Sequence, residues 1–560
     1  MTALREFLRL VNRRLFSPSA ARGWQLAGWI AATLIVAVAV WQRWQIPAIA
    51  VADPDSWGYF RPALNLLSGG GFVQHNGRDW LYSALVAGAL EVTGSMAGLV
   101  RFQQMLGVLA GILLAVTLRL WAQFLPGSAG REAGAAVLGA VAMGIFLWRP
   151  DSLAFEVQLR PESVWSFFIL LQLLCLLAYC RERWVRHRYG VALCYALAAV
   201  PLAYANVLLK PSWGLALLVT IAPVFFGILG PRAGLGLRLL TPVAAVGLSV
   251  LTLWLPARML FVRDEMAATR LPLALFTIHA KWILAHYEQK AQSLRPDSAE
   301  RHFLDRFLPV FREEFAQTMT QKKITYDRLG YDADYLRYRS PIFDWLNSEG
   351  GIAGERLNAF CYASYLETWR SQPLGMADKV WGQFRFFLFP QDDDFYKRGT
   401  NLQERYRITL EKLPDDLPGS SDRVAALYAA FREQATQASV RTFKVEPWGP
   451  LQKLSLGLAA ITPALLLVFL VVLAACLLRP GLSDLRLAGL TALLLYAAPA
   501  ANALTVSIIH VLDLPRYRLS YAGPFLLALA AVILFNVIAL IRIAGIRRRD
   551  EVGTIEPRKN

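Results

Sequence analysis

The sequence predicts a mainly α-helical, polytopic membrane protein with about ten transmembrane helices. Three observations predict it: the composition, the spacing of long apolar windows, and the placement of basic residues. The 560-residue chain is 56% hydrophobic and only 18% charged, whereas soluble chains are about 45–50% apolar and about 25% charged. The same composition excludes intrinsic disorder, because disordered chains are poor in apolar and aromatic residues.

The apolar windows come first, since a transmembrane helix needs roughly 20 mostly apolar residues. The first window resembles a signal peptide, because Ala48-Ile49-Ala50 is typical of a cleavage site. Its apolar stretch is longer than the core of a signal peptide, however, and further windows follow, so we interpret it as a retained anchor. The windows are Trp24–Trp41, Leu99–Leu120, Ala133–Trp148, Val164–Tyr179, Gly190–Leu209, Trp213–Leu229, Leu239–Leu255, Leu454–Leu478, Leu487–Ile509 and Leu519–Ile541.

Basic residues predict the orientation of these helices. With the N-terminus inside, the cytoplasmic segments hold 21 basic and seven acidic residues, which accounts for +14 of the formal net charge of +17. Cytoplasmic loops are enriched in Lys and Arg, so both termini are predicted to be cytoplasmic. Nucleic acid is therefore not needed as a partner to explain the charge. The five scattered cysteines are too few for a disulfide scaffold or a zinc site.

The windows divide the chain into four parts. In the first outer loop, residues 45–98, the apolar stretch Leu81–Val92 is too short to span a membrane and is predicted to be re-entrant or juxtamembrane. The large outer segment is the soluble-like part and the expected place of acceptor recognition. The four parts are an N-terminal module of about seven spans (1–255), this large periplasmic segment (256–450), three C-terminal spans (451–541) and a basic cytoplasmic tail (542–560).

Ionisable residues cluster in the loops that are predicted on the outer side, and such groups at membrane helix ends are functional candidates. A carboxylate such as Asp55 can act as a general base toward a hydroxyl. Arg and Lys side chains can hold a phosphate and stabilise its charge as it leaves. Lys210 stands out as a lone cation in a very short loop between two spans. Together these loops have the parts for chemistry on an anionic substrate at a membrane surface.

Each of these features also has a purely structural alternative. Asp53-Pro54-Asp55 is compatible with a simple turn capped by an Asx side chain. Arg160-Pro161-Glu162 is compatible with a helix start, since Pro and an acidic residue favour the first turn. Other outer-loop charges are compatible with solvated side chains: Arg61, Asp79, Arg149 and Arg518.

The residues and their order resemble the GT-C superfamily of membrane glycosyltransferases, in the branch that contains protein O-mannosyltransferases and lipid A aminoarabinose transferases. The resemblance covers roughly the first 230 residues and the last 50. Unlike the lipid A enzymes, which carry an Asp-Glu pair, this chain has Ser56 after Asp55. The matching positions are Asp55 four residues before Tyr59, Arg78 before a short half-helix, Arg101 at the start of the second span, Arg160-Pro161-Glu162, Lys210-Pro211 and Arg516-Tyr517.

The resemblance implies an inverting glycosyltransferase in a bacterial inner membrane, with its active site facing the periplasm. The sugar would be mannose or a pentose such as arabinofuranose or aminoarabinose, carried by a polyprenyl-phosphate donor. The acceptor would be a lipid, a glycan or a protein. No cofactor is required and no metal site is predicted, because cations would hold the leaving phosphate. The Asp53-x-Asp55 pattern nevertheless leaves a divalent cation open.

The resemblance also assigns roles to individual residues. Asp55 would be the catalytic base, with Asp53 beside it. Four cations would bind the donor phosphate: Arg78, Lys210, Arg516 and Arg101. The sugar or the acceptor would be bound by Glu162, Arg160, Tyr59, Tyr517 and His510.

Two other functions are compatible with parts of this sequence. A transporter or flippase of polyprenyl-linked sugars would also need charges at the membrane, but it should show internal repeats and matched broken helices, which are not visible in the sequence. A non-catalytic envelope assembly subunit would use segment 256–450 to bind a partner, and Asp55 and Lys210 would then lack a purpose.

Overall fold

The computed structural model describes residues 18–75, 78–127, 129–230, 234–262, 266–320, 329–388, 400–417, 419–441, 444–445, 448–509, 517–518 and 520–544. The α-helices are α1 (Pro18–Gln45), α2 (Trp57–Leu67), α3 (Trp80–Thr93), α4 (Met96–Ala122), α5 (Ala129–Leu147), α6 (Pro150–Glu156), α7 (Glu162–Cys180), α8 (Tyr189–Leu209), α9 (Gly214–Phe226), α10 (Leu235–Ser249), α11 (Leu255–Leu260), α12 (Met266–Ile278), α13 (Ala280–Ser293), α14 (Ala299–Thr320), α15 (Ala333–Tyr338), α16 (Ile342–Ser348), α17 (Glu355–Ser371), α18 (Pro373–Leu388), α19 (Leu402–Lys412), α20 (Asp422–Ser439), α21 (Gly449–Leu478), α22 (Arg486–Ile509) and α23 (Ala522–Ile543).

Four two-residue strands accompany the helices. β1 (Phe72–Val73) pairs in parallel with β2 (Phe261–Val262), and β3 (Thr400–Asn401) pairs antiparallel with β4 (Lys444–Val445). Short π-helical segments extend α7 and α10, and 3₁₀ turns precede α9 and α22. The strands are too short to form a layer, so the fold is helical throughout the described residues.

Ten helical segments of the described chain are long and apolar enough to cross a membrane, and they confirm the predicted polytopic fold class. Each of the ten predicted windows falls on one of them. The apolar helix Trp80–Thr93 is shorter, with 14 residues, and is not among them. The segments are Ala20–Gln45, Met96–Ala122, Gly130–Leu147, Glu162–Val185, Tyr189–Leu209, Pro211–Leu229, Leu235–Met259, Gly449–Leu478, Pro480–Ile509 and Ala522–Ile543.

The segments differ in how much of their surface is covered by protein. α23 lies at the centre, with 78% of its apolar window buried, and it packs against α4, α5, α21 and α22. α1 lies at the periphery, with 11% of its window buried, and packs mainly along α5. Gly28 makes this packing close, because a Cβ atom there would come within 2.8 Å of Ala136. The exposed apolar side chains of α1 are therefore those expected to face lipid.

One end of the bundle collects the loops that carry the candidate residues. We call it the loop end, and it comprises the described parts of residues 46–95, 148–161, 210–212, 260–448 and 510–521. Segment 256–450 divides there between two cores. Helices α12 to α17 have a core of their own, formed by side chains such as Phe276, Phe307 and Cys361. Side chains of α18, α19 and α20, by contrast, join the core of the membrane bundle.

Candidate active site

The loop before α2 folds into a compact turn through the side chain of Asp53. Its Oδ1 atom accepts hydrogen bonds from the Asp55 amide (2.9 Å) and from the Ser56 hydroxyl (3.2 Å). The Ser56 hydroxyl in turn accepts a hydrogen bond from the Asp53 amide (2.9 Å), and Ser56 is fully buried. The Asx turn that the sequence offered as an alternative is thus present. It uses only one oxygen of Asp53, and it holds the Asp55 side chain beside two arginines.

Asp55 is bound by a guanidinium group on each carboxylate oxygen. Arg78 donates to Oδ1 from Nη2 at 2.6 Å, and Arg160 donates to Oδ2. Arg160 also contacts Asp53, with 2.5 Å between Nη1 and Oδ2, and so bridges the two aspartates. The Arg160 side chain is 6% exposed, whereas those of Arg78 and Asp55 are 24% and 31% exposed. The Asp55 carboxylate is therefore fixed by a buried cation on one oxygen and by a partly exposed cation on the other.

A buried polar network supports Arg160 from behind. Gln103 of α4 donates from Nε2 to the hydroxyls of Tyr82 and Ser163, both at 2.7 Å. Ser163 donates to the Arg160 carbonyl at 2.6 Å. The network joins α3, α4 and the start of α7, so the backbone of Arg160 is fixed by three helices before any substrate binds.

Tyr59 connects the aspartate cluster to the rest of the site. The Arg78 guanidinium lies 5.3 Å from the centre of the Tyr59 ring, a cation–π distance. Burial raises the pKa of Tyr59 to about 12, and the neighbouring charges of Arg78 and Glu162 act on the pKa in opposite directions. Tyr59 is therefore a neutral wall of the site at physiological pH. The carboxylate of Glu162 also acts electrostatically on the Arg78 guanidinium and favours its charged form.

Lys210 is not the lone cation that the sequence indicated. Its Nζ atom donates to Glu162 at 3.0 Å and to the Ser520 hydroxyl at 3.2 Å. The aromatic rings of Trp165 and Tyr517 lie 5.0 Å and 5.1 Å from the same nitrogen. Lys210 can be placed this way because α8 ends there in an extended conformation and Pro211 begins a 3₁₀ turn. The ion pair of Lys210 and Glu162 is thus flanked by two aromatic rings.

The structure brings most of the predicted site residues together and leaves others apart. Arg101 instead donates to the Arg43 carbonyl at 2.6 Å and lies over the Trp44 ring, so its contacts are with the end of α1. Arg516 and His510 lie outside the described residues. The residues brought together are Asp53, Asp55, Tyr59, Arg78, Arg160, Glu162, Lys210 and Tyr517.

Segment 256–450 adds a cation that the sequence did not single out. Thr409 of α19 accepts a hydrogen bond from the Ala52 amide at 2.9 Å. This docking brings Arg405 within electrostatic range of Asp151 and Asp53. Burial lowers the pKa of the Arg405 guanidinium, and the two carboxylates oppose that shift. In the sequence Arg405 is only one charge on an amphipathic helix. Its relation to the first loop depends on the tertiary contact made by Thr409.

Two further arginines are placed differently from the solvated alternative. Arg518 is 8% exposed and the Arg149 side chain is 11% exposed, whereas Arg61 is exposed, as a solvated charge should be. Arg149 contacts Asp151, with 3.5 Å between Nη2 and Oδ2, and burial raises the pKa of this carboxyl. Arg149 and Arg518 are therefore two largely enclosed cations at the loop end that the sequence did not assign to the site.

Metal ligation has little support in the described residues. Across these parts of the chain, no group of three or more His, Cys, Asp or Glu side chains is arranged to hold a metal ion. Asp53 and Asp55 are instead arranged around Arg160. A divalent cation at the Asp53-x-Asp55 pair would therefore share these carboxylates with Arg160.

No protein-family model matches the chain, and no curated protein matches it. Among solved structures, the chain is similar to the archaeal oligosaccharyltransferase AglB from Archaeoglobus fulgidus in complex with an inhibitory peptide and a dolichol-phosphate. That similarity has 12% identity and a TM-score of 0.40 over 96% of this chain, which spans 52% of the AglB chain. It is also similar to ArnT from Cupriavidus metallidurans bound to undecaprenyl phosphate, with 13% identity, a TM-score of 0.30, and coverage of 93% of this chain and 79% of that chain.

Both of these proteins are GT-C glycosyltransferases, the superfamily that the sequence motifs indicated. The chain spans only about half the length of the AglB chain. At these TM-scores the similarities assign neither a reaction nor a substrate to this chain. Any proposal about its chemistry must therefore follow from the site itself.

Proposed function

We propose that the chain is an inverting glycosyltransferase of the GT-C type, which moves a sugar from a polyprenyl-phosphate donor to an acceptor hydroxyl. One observation carries the proposal: the partly solvent-exposed carboxylate of Asp55 is held between two arginines at the loop end of a membrane bundle. A lipid-linked donor keeps its isoprenoid chain in the bilayer and its sugar phosphate at the surface. In this proposal the carboxylate and the cations meet that head group at the membrane surface.

In the proposed reaction Asp55 takes the proton of the acceptor hydroxyl. The acceptor oxygen forms a bond to the anomeric carbon while the bond from that carbon to the phosphate oxygen breaks. Polyprenyl phosphate leaves with the electron pair, and the anomeric configuration inverts. A positioned base contributes about 10²–10⁴-fold to such a step, and donors aimed at the developing phosphate charge contribute further.

Arg78 couples donor binding to the base in this proposal. In the described structure it occupies one oxygen of Asp55, on the more exposed side of the cluster. A phosphate binds a guanidinium group strongly, often through two hydrogen bonds, so an arriving donor competes with Asp55 for Arg78. Transfer of Arg78 to the phosphate frees the Oδ1 atom to accept the proton. Arg160, which is buried, keeps the carboxylate aligned throughout.

Lys210 and Glu162 form the second half of the donor site. Lys210 would add its charge to the phosphate, and Glu162 would accept hydrogen bonds from sugar hydroxyls while the aromatic walls pack on the sugar ring. Tyr59 and Tyr517 supply those walls, since both lie beside the charged pairs. Arg516 and His510 belong to the same loop as Tyr517, and we propose that they complete the site.

We place the loop end on the periplasmic side of a bacterial inner membrane, with both termini in the cytoplasm. The support is the excess of Lys and Arg in the segments at the opposite end. We also propose that no metal ion takes part, because guanidinium and ammonium groups neutralise the leaving phosphate. A strong chelator should leave turnover unchanged, and turnover that disappears with the chelator and returns with a divalent cation would contradict this point.

Sugar transfer by the purified chain tests the proposal. The substrates are synthetic polyprenyl phosphates carrying mannose, arabinofuranose or aminoarabinose, supplied in membrane vesicles. We expect release of polyprenyl phosphate from at least one of them, with kcat/KM about 10²-fold lower in Lys210→Gln. Arg119→Gln is the matched control, because Arg119 lies at the opposite end of α4. Movement of intact donor across the vesicle without cleavage would overturn the proposal in favour of a flippase.

A further inference from the structure

Helix α18 exposes one face for which the proposed reaction has no use. Leu374 is 85% exposed, Trp381 is 53% exposed, and Arg385 is exposed as well. Because residues seven and four positions apart lie on the same side of an α-helix, these three side chains form a single stripe, which we call the outer stripe. The opposite face of α18 is buried in the protein and includes Met376, Lys379, Gln383 and Phe387. A leucine and a tryptophan thus stand on the side of the helix that the protein leaves uncovered.

The position of α18 is fixed by contacts with the ends of two membrane spans. Lys379 donates from Nζ to the Ser507 carbonyl at 2.7 Å, and Ser507 lies close to the end of α22 at Ile509. The ring of Phe387 lies 6.4 Å from that of Tyr521, centre to centre, and Tyr521 directly precedes α23. The stretch of α-helix between Lys379 and Phe387 covers about 12 Å. Helix α18 therefore extends across the loop ends of two neighbouring spans, at the level where these spans leave the membrane.

Lys379 makes the attachment to α22 specific. The last four carbonyl groups of an α-helix lack partners inside the helix, and a cation at this end is favoured by the helix dipole. Lys379 meets one of these carbonyls and is only 6% exposed. Apolar side chains of α18 beside it, such as Val380 and Phe387, are buried with it. The depth of the outer stripe relative to the spans is consequently set by the fold.

The outer stripe has the composition of a helix at a membrane interface. Tryptophan is enriched where a bilayer meets water, because its ring sits at the level of the lipid head groups. Interfacial helices combine Trp, Phe or Leu with basic side chains. An arginine can lay its aliphatic stem along an apolar surface while its guanidinium group reaches the head groups. Leu374, Trp381 and Arg385 supply these parts in one stripe.

Another helix of segment 256–450 shows a face that suits water. On α19, the Arg407 side chain is 59% exposed and forms ion pairs with Glu404 and Glu411. Charged pairs at a spacing of three and four residues are typical of a solvated helix face. The outer stripe of α18 instead presents Leu374 and Trp381 at comparable exposure. Exposed apolar patches mark interaction sites, so the outer stripe is expected to have a partner.

The surroundings of the outer stripe favour a lipid bilayer as this partner. The two spans that hold α18 are long and apolar enough to cross a membrane, and a stripe at the level of their ends is continuous with the lipid around them. The exposed charges nearby favour anionic head groups, because basic side chains near a membrane surface attract them. Within residues 370–385, the exposed charged side chains are those of Arg370, Asp378 and Arg385.

We infer that the outer stripe lies in the head-group region of the leaflet at the loop end, and that its partner is the lipid bilayer. Leu374 and Trp381 contact the upper part of the lipid chains, and Arg385 lies among the phosphates. Through this contact and through Lys379, segment 256–450 is seated on the membrane beside the loops of the proposed donor site. Membrane contact of this kind is independent of whether the chain transfers a sugar.

Collision measurements on a nitroxide label test the inference in the full chain, reconstituted in nanodiscs of phosphatidylethanolamine and phosphatidylglycerol. Labels are attached to Leu374→Cys and Trp381→Cys, each introduced singly. Cys175→Ala and Cys194→Ala are present in every labelled chain, because these are the two native thiols that are not buried. Oxygen concentrates in the bilayer and a nickel chelate stays in water, so the ratio of the two collision rates distinguishes lipid from solvent.

Two further positions calibrate the ratio. Leu467, which is 65% exposed within the span α21, provides the reference for lipid. Arg407, exposed among paired carboxylates, provides the reference for water. We expect oxygen collisions to exceed chelate collisions at both Leu374→Cys and Trp381→Cys, as at Leu467→Cys, and the order to be reversed at Arg407→Cys.

Two results would overturn the inference. A ratio like that of Arg407→Cys at either position of the outer stripe would place the stripe in water. An immobilised label that neither reagent reaches would show that protein covers it. Thermal unfolding establishes that each labelled chain is folded, and Ala377→Cys, at an exposed position one turn before Trp381, replaces a position that does not tolerate the label. The measurement uses no sugar donor, so its outcome is separate from that of the transfer assay.

Discussion

Two of the arginine–carboxylate clusters near the loop end differ chiefly in their access to solvent. In the first, Arg43 of α1 donates to both carboxylate oxygens of Glu156 at 2.7 Å and 2.6 Å, and the two side chains are 3% and 4% exposed. In the second, Asp55 is held by Arg78 and Arg160 and remains 31% exposed. The sealed pair is closed to solvent, whereas the open cluster is partly exposed to it.

The difference indicates what each cluster contributes. Arg43 also donates to the carbonyl oxygens of Ala39 and Leu147, so the sealed pair ties α1 to α5 and α6. Buried ion pairs add little to stability over apolar packing, but removal of one partner is costly. The sealed pair therefore fixes helix positions, whereas the proposed chemistry is assigned to the open cluster. Substitutions in the two clusters should separate stability from turnover.

The largest expected effect on stability belongs to the sealed pair. Glu156→Gln leaves the Arg43 guanidinium buried without a counter-charge, and we expect the free energy of unfolding to fall by about 3–5 kcal/mol. Unfolding in mixed micelles by a denaturing detergent measures it. Asp55→Asn, assayed alongside, should unfold at nearly the same detergent fraction as the unmodified chain. Equal destabilisation by both substitutions would remove the distinction between the clusters.

The next effect concerns the residue that bridges the open cluster. Arg160→Lys keeps the charge but cannot hold Asp53 and Asp55 with two separate nitrogen atoms. Misplacement of a catalytic group by about 1 Å costs on the order of 10²-fold, and we expect a fall of about that size in kcat for sugar transfer. Arg61→Lys is the control on the same end of the bundle. Full activity of Arg160→Lys would show that the Asp55 carboxylate needs no second cation for its alignment.

The smallest effect tests how tightly the sealed pair is enclosed. Gly107 of α4 faces Glu156, and a Cβ atom added there would overlap the carboxylate. Gly107→Ala should destabilise the chain by about 1–3 kcal/mol through overpacking. Gly457→Ala is the matched control, because nothing lies within 4 Å of a Cβ atom at that position of α21. A Gly107→Ala variant as stable as Gly457→Ala would mean that the pair tolerates displacement.

The spans and the open cluster could be predicted because both depend on local sequence. A span needs only an unbroken apolar window, and Asp55, Arg78, Arg160 and Lys210 occur in short loops that hydropathy assigns to one side. The partner of Lys210 was missed, although Glu162 was among the predicted residues, because pairing across 48 residues depends on how α7 and α8 pack.

Long-range packing explains what could not be predicted. Arg43 and Glu156 are separated by 113 residues, and neither stands in a motif, so their pairing appears only when α1 is packed on α5. Arg405 likewise looks like any charge on an amphipathic helix until Thr409 docks α19 on Ala52. In the sequence Arg149 and Arg518 are compatible with solvated charges, because the long-range packing that buries them leaves no local pattern.

The central claim is that Asp55 is the base of a sugar transfer, and one variant tests it most directly. Asp55→Asn preserves the shape of the side chain and its place beside Arg78 and Arg160 but removes its ability to take a proton. Turnover of a polyprenyl-phosphate sugar and the thermal unfolding midpoint are measured on the same preparation. The account predicts that turnover falls by about 10²–10⁴-fold while the midpoint is retained. Full turnover in a folded Asp55→Asn chain would contradict it.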